Sequence, residues 1–486
     1  MRLHLRDLRK RRGPYRSIAA AEAEIARLLD RLGHNSLERK VFELAEILCI
    51  PFKNVAAHLG VSERHLYRIR IAMLEQLAAD DRPLFVQPVS PPALQQLELA
   101  RTLLKYGHAT SGQVLVSRLL EGDMPPEHAV QALTVLATAQ SDEECYEQAQ
   151  RTLHEARMCA AHLEPERKPF AYRSIAMADA YIPYRDGASD RAAELTEAAL
   201  GPCDETFNDA IEAREYIRAL IFLANQHTEL GSMPRCLSLL EKAHRLLARF
   251  PVPPSSELAQ VFIHSAFARA ALPNESERAR SDAEEALRVA QWHGLQFEEV
   301  WANLALGMLR DMAGKPKEGL SFVHHAIALG SSVLDGDPLI RTLFITARLE
   351  GASGDGDSAL ARLQMARPLA QNHGLLRGIL EVAEARARRH RGEVDKTIAA
   401  SSRAIDALEG RSLTHYLGIP YLSRAIALAK MGVDNSSDVE RAVYYLDRGG
   451  ALVDKAAAYE LSYRVTHNRK DLQQARDLRG VASKIA

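Results

Sequence analysis

Apolar positions recur at helical intervals along nearly the whole of this 486-residue chain, and no useful stretch alternates with the period of two that a half-buried strand needs. Near the start, Val55, Ala56 and Leu59 share one face of a short segment. Gly60-Val61-Ser62 then supplies a turn glycine, a buried residue and a helix cap, and Leu66, Ile69, Met73 and Leu77 form a narrow stripe on the segment beyond. The pattern predicts helices over 37–48, 52–59 and 63–78. An amphipathic helix with Ile25, Leu28, Leu29 and Leu32 on one face precedes them over 17–32.

Further along, the pattern becomes monotonous. Helix-breaking turns are expected at Gly187, Gly231, Asn274, Gly314, Gly354, Gly392 and Gly432, each 38 to 44 residues after the last. The phrase Ala290-Gln291-Trp292-His293-Gly294-Leu295 returns as Ala370-Gln371-Asn372-His373-Gly374-Leu375 after 80 residues. Around Gly314, Phe297, Val300, Trp301, Leu304, Met308 and Met312 make one helical stripe, and Leu320, Val323 and Ile327 make another. A helix pair of about 40 residues cannot bury its apolar face alone, so neighbours must stack into a superhelix. The spacing predicts about nine such pairs from residue 93 onward.

These signals divide the chain into a basic arm (1–16), a helix-turn-helix domain (17–80), a linker (81–92) and a helical repeat domain (93–486). The linker carries Pro83, Pro88, Pro91 and Pro92, a density that cannot continue a helix.

Charge sharpens this division. The chain carries 62 Lys+Arg and 63 Asp+Glu, a net charge of −1. Residues 1–82 hold 16 cationic against 11 acidic side chains, whereas the rest hold 46 against 52. The cationic excess therefore lies beside the helix-turn-helix, as a polyanionic partner requires. Composition is otherwise ordinary for a globular protein, at 47% hydrophobic and 6% aromatic. Five scattered cysteines without a CxxC pair suit reduced thiols in the cytoplasm. The basic N-terminus lacks the apolar core of a secretory signal, and no run of 18 apolar residues could span a membrane.

On the segment after the turn, Arg64, His65, Tyr67, Arg68 and Arg70 lie off the apolar stripe. A groove-inserted helix needs such side chains, because Arg can pair bidentately with guanine and Tyr or His can hydrogen-bond to base edges. Arg64 and Arg68 are favoured for bases and Arg70 for phosphate. Ser62 is first an N-cap; Arg39, Lys40 and Lys53, near helix starts, are candidate backbone contacts. Elsewhere the bland reading is the stronger one. His324 and His325 are adjacent and so point to different sides of a helix, Trp292 and Trp301 read as core, and the run Arg386, Arg388, Arg389, His390, Arg391 reads as a solvated helix end. Phosphate-loop, dinucleotide, nucleophile-elbow and metal motifs are missing. The expectation is a protein with no enzymatic activity and no cofactor.

Residues 36–77 resemble the DNA-binding fold shared by sigma-factor region 4 and the LuxR-type response regulators. The run Ile50-Pro51-Phe52-Lys53-Asn54-Val55-Ala56-Ala57-His58-Leu59-Gly60-Val61-Ser62 follows that family's GLSxxEIAxxLGIS closely. Leu66 stands where the family has a buried Val, and Met73 and Leu77 match apolar positions. His65 replaces the usual Thr and Tyr67 the usual Lys or Glu, which alters the base preference the resemblance would imply. Nothing resembles the sigma-factor domain for the −10 element, so the resemblance implies a bacterial regulator. The C-terminal 390 residues resemble tetratricopeptide-like arrays with a longer unit, and the combination is similar to peptide-sensing regulators of bacterial quorum systems and phage. The fold expected is all-α, a helix-turn-helix followed by a tetratricopeptide-like solenoid. The function expected is transcription regulation as a homodimer on double-stranded DNA, with a peptide or protein ligand on the array. The alternative is an adaptor that uses both parts for protein–protein interaction.

Overall fold

The computed structural model describes Leu32, residues 36–42, 52–62, 65, 66, 68 and 69, and most of 92–485, with gaps at 123, 202–206, 208–209, 251–254, 273, 372–373, 412 and 449–451. The chain divides into two compact units, Met1–Ser90 and Pro91–Ala486. The basic arm, the amphipathic segment 17–32 apart from Leu32, and the linker before Pro92 fall outside the described residues.

In the smaller unit, Ser36 caps α1 (Leu37–Val41), its hydroxyl oxygen accepting from the Arg39 amide at 3.1 Å. The segment expected over 52–59 is α2 (Phe52–Leu59). Gly60 ends it at φ +66°, a left-handed conformation that an L side chain resists, although a Cβ there would meet nothing within 4 Å. The Val61 amide donates back to the Ala56 carbonyl at 3.0 Å and closes the turn. Val41, Phe42, Val55, Ala56, Leu66 and Ile69 are buried, so the described part of the predicted stripe does face a core.

The larger unit is all-helical among its described residues and forms ten helix hairpins. The first five are α3 (Pro92–Lys105) with α4 (Ala109–Leu120), α5 (Pro126–Asp142) with α6 (Tyr146–Ala161), α7 (Lys168–Arg185) with α8 (Ser189–Leu200), α9 (Ala210–Glu229) with α10 (Met233–Leu247), and α11 (Ser255–Ala270) with α12 (Ser276–His293). The others are α13 (Gln296–Met312) with α14 (Pro316–Gly330), α15 (Gly336–Ala352) with α16 (Gly356–Leu369), α17 (Gly374–Arg391) with α18 (Val394–Leu408), α19 (Thr414–Met431) with α20 (Ser436–Asp447), and α21 (Leu452–Thr466) with α22 (Arg469–Ile485). Pro92, expected to end the linker, instead opens α3, where its missing N–H costs nothing.

Each hairpin turns on one residue of positive φ: Gly107, Glu144, Gly187, Gly231, Asn274, Gly314, Gly354, Gly392, Gly432 and His467. All seven expected turns are there. Three further turns, Gly107, Glu144 and His467, lie outside the expected series, and Glu144 and His467 fill a position that glycine usually marks.

The two helices of a hairpin are buried differently. Helix α13 buries Val300, Ala302, Leu304, Ala305 and Leu306 around most of its circumference, together with Glu298, Asn303 and Asp311. Helix α14 buries only the stripe Gly319, Val323, Ala326, Ile327 and Gly330. First helices also pack on the first helices of neighbouring pairs, which makes them an inner layer with the second helices outside. Alanines such as Ala302, Ala305 and Ala347 sit among larger side chains in the inner layer, and Gly107 meets Asp335 and Pro338 across 228 residues of sequence.

Two core expectations change. Trp301 is half-buried against the main core, but Trp292 lies on an outer helix and is 43% exposed. Its place in the AQWHGL phrase marks a helix end, not a core position.

Candidate functional site

Some candidate residues of the smaller unit lie among the described ones. Ser62 accepts from the His65 amide at 3.2 Å, which is the expected cap. His65 and Arg68 are exposed while Leu66 and Ile69 between and beside them are buried. Lys40 and Lys53 are exposed, and Arg39 is half-buried in the first turn capped by Ser36. Arg64, Tyr67 and Arg70 lie outside the described residues.

The array holds a different candidate. A cavity of about 350 Å³ opens on the inner layer between α3, α5, α7 and α9. Leu104, Val135, Phe170, Met177 and Phe222 give it apolar walls, and Arg101, Lys105, Arg173, Glu215 and Asp142 give it charged edges. Those charges are held in place from several repeats. Arg101 bonds Glu98 and Glu215, each at 2.8 Å; Arg173 bonds Glu212 at 3.3 Å; Lys105 bonds Glu298 and reaches Ser256 at 2.9 Å. The Lys105 ammonium also lies 4.8 Å from the centre of the Phe297 ring. At one end the Tyr181 hydroxyl donates to Asp142 at 2.8 Å, and the Tyr181, Tyr184 and Phe222 rings pack together at 5.2 to 5.9 Å between centroids.

Asp142, Arg185 and Glu229 each sit two residues before a hairpin turn in successive repeats, and they meet one helix from later in the chain. Arg185 contacts Asp142 at 3.2 Å and donates to Asp337 of α15 at 2.7 Å. Arg341, one turn on, holds Asp337 at 2.8 Å and approaches Glu229 at 3.8 Å. Glu229 also accepts from Ser189 at 2.6 Å and from Tyr184 at 3.2 Å. Burial would raise the Asp337 carboxyl, but the Arg341 and Arg185 guanidiniums outweigh it and hold it below the usual range. Burial wins at Glu229, whose acidity is weakened despite Arg341, Ser189 and Tyr184, and it pushes the Tyr181 and Tyr184 hydroxyls up. Hydrogen-bonding, apolar contact and charge pairing are what this surface offers. Among the described residues no group of three or more His, Cys, Asp or Glu is placed to hold a metal.

The arginine run at the end of α17 corrects an expectation. Arg386 is buried at 4% exposure, donates to both Asp311 oxygens at 2.8 and 3.0 Å, and lies 3.4 Å from Asp454. Arg389 bonds Asp454 at 3.2 Å, Arg388 pairs with Glu384 and Glu393, and Arg391 with Glu393 and Asp357. Arg386 and Arg389 are a structural tie between repeats, because their acidic partners come from α13 and α21, out of reach of any local sequence pattern, whereas Arg388 and Arg391 take nearer carboxylates and His390 and Arg391 stay exposed at the helix end. His324 and His325 likewise take separate partners, Glu350 at 3.1 Å and Glu299 at 3.5 Å.

Stacked helix hairpins with polar inner edges define a class, a helical-repeat array of the tetratricopeptide-like kind. Neither known protein families nor curated proteins match this sequence. Solved structures do. A Rap protein complexed with competence and sporulation factor aligns with a TM-score of 0.53 at 13% identity, covering 76% of this chain and 100% of the other. The apo form of RapI aligns at 0.41 and 13% identity, covering 61% and 99% of the two chains. A STAND signal-transduction ATPase with a tetratricopeptide-repeat sensor from Pyrococcus horikoshii aligns at 0.39 and 12% identity, covering 93% and 69%. The first of these likenesses establishes a shared fold. Among the described residues, no helix is long and apolar enough to cross a membrane.

Proposed function

We propose that this chain is a protein-interaction scaffold without enzymatic activity, whose array takes up a peptide or protein segment in the cavity between α3, α5, α7 and α9. The cavity carries the reading: apolar walls of Leu104, Val135, Met177 and Phe222 can receive a side chain while Arg101, Lys105 and Glu215 engage a backbone or charged group. The likeness to a Rap protein whose structure is a complex with competence and sporulation factor supports the same use of the fold. Peptide display against the full chain tests it. Enriched peptides should lose binding to Met177→Asp and Phe222→Asp variants that keep their helicity. Enrichment of no peptide, or of peptides indifferent to both substitutions, rejects the reading.

A second reading has its own support. Ser62 at the cap, buried Leu66 and Ile69, and exposed His65 and Arg68 are what a DNA-reading helix needs; the sequence adds the cations Arg64, Arg70, Lys53, Arg39 and Lys40, and Tyr67 as a hydrogen-bonding side chain. In that reading the chain is a cytoplasmic transcription regulator that binds paired half-sites on double-stranded DNA as a homodimer, and the array's ligand governs it. Affinity for random duplex DNA measured against salt tests this. Several phosphate contacts give a steep negative log–log slope, and an adaptor gives almost none.

A further inference from the structure

The four walls of the cavity belong to four different repeats, yet α3, α7 and α9 are tied directly to the start of one later helix and α5 is tied to it through Arg185. The Asp335 amide, which precedes α15, donates to the Tyr106 carbonyl just after α3 at 2.8 Å, and Gly336 lies against Gly107. Asp337 takes Arg185 from α7, and Arg185 also contacts Asp142 at the end of α5. Arg341 reaches Glu229 at the end of α9 and the Tyr416 hydroxyl at 3.5 Å in α19. More than 100 residues separate Arg341 from its α9 partner, so local chain connectivity does not impose this meeting.

We propose that residues 335–341 are a latch that sets the aperture of the cavity and couples it to the winding of the array. This deepens the proposed interaction function and rests on it for its biological meaning. Asp142 and Tyr181 belong at once to the cavity wall and to the ion-pair chain, so a bound segment that shifts either one changes the geometry offered to Arg185 and through it to Asp337. By reciprocity, a partner that displaces the start of α15 must change affinity in the cavity. Buried ion pairs suit such a role, because they have one good arrangement and poor intermediates, which makes the contact closer to two-state than graded. Arginine suits it too, since its planar fork spans two carboxylates at once.

The test needs no ligand, so it can fail or succeed independently of the peptide reading. Asp337→Asn and Arg185→Gln keep shape but remove one charge. Arg185→Lys keeps the charge and loses the fork, and serves if the first two do not fold. Arg403→Gln, which breaks the exposed Arg403–Glu381 pair away from α15, is the control. The latch variants should show a larger radius of gyration in X-ray scattering and roughly tenfold faster amide exchange at the ends of α3, α5, α7 and α9 together. Met177 in the cavity wall should be oxidised faster by hydrogen peroxide, and the double variant Arg185→Gln/Asp337→Asn should open no further than either single one. Faster exchange confined to α15, with radius and Met177 oxidation unchanged, would overturn the proposal, as would effects equal to those of the control. If the latch variants open the array and display still yields no peptide, the device stands and the interaction reading falls.

Discussion

Arg386 and Asp311 face each other across 75 residues of sequence, with both terminal nitrogens of the guanidinium bonded to the two carboxylate oxygens. Both side chains are nearly inaccessible, and Asp454 and Arg348 join them from two further helices. The cluster pins α13, α15, α17 and α21 at a single point.

Removing one member leaves a buried charge uncompensated. Arg386→Ala should therefore destabilise the array by about 3–5 kcal/mol, whereas Arg403→Ala at an exposed pair should cost about 0–1 kcal/mol. Thermal melting of the two variants side by side checks the ranking.

Acid should loosen the same cluster. Burial pushes the Asp454 carboxyl up, but Arg386, Arg389 and Arg348 outweigh it and hold it at about 2. A carboxyl depressed on folding contributes stability above its unfolded pKa, near 4, and that contribution fades as pH falls toward 2. Asp454→Asn should be less stable at neutral pH and show a flatter loss between pH 4 and 2. An unchanged acid profile would remove Asp454 from the account.

His264 acts in a different window. Burial lowers its pKa to about 4, so the unfolded chain binds a proton that the folded chain refuses between about pH 6.5 and 4. Stability from this site is complete above 6.5 and declines as pH falls through that range. His264→Gln should flatten that part of the melting-temperature curve.

The hairpin glycines separate conformational from steric demand. Gly392→Ala must adopt φ +74° but meets open space, so it should cost about 1–2 kcal/mol. Gly107→Ala needs φ +90° and would also drive its Cβ into the Asp335 carbonyl oxygen, so it should cost clearly more and loosen the α3–α15 contact. Melting temperatures and amide exchange at residues 335–341 distinguish the two.

For the smaller unit, Arg68→Ala is expected to leave the melting temperature unchanged because the side chain is exposed, while relaxing sequence preference among duplexes at a cost of about 1–3 kcal/mol in binding, as loss of a base contact does. Leu66→Ala, at a fully buried position, should instead cost about 2–5 kcal/mol of stability.

What could be read in advance follows the range of the forces involved. Helix α2, the Ser62 cap, and the stripes Val300/Leu304 and Val323/Ile327 depend on residues three to seven apart, and they lie where the periodicity put them. Glu144 and His467 escaped because a left-handed turn is a backbone state that glycine favours without monopolising. Trp292 misled because bulk and apolarity suggest burial, while the outer face of a second helix leaves one side to water.

The amino-acid order by itself determined the helix hairpins, seen among the described residues, and their punctuation every 38 to 44 residues from Gly187 to Gly432, since caps, turns and apolar stripes act within a few residues of the backbone they shape. Only the tertiary structure decided which charges would be buried. Arg386 left solvent for Asp311 and Asp454, and Arg185 and Arg341 gathered Asp142, Asp337 and Glu229 around one helix start. Those pairings depend on how far each hairpin rotates against the next, a quantity summed over many repeats and written in no single one of them.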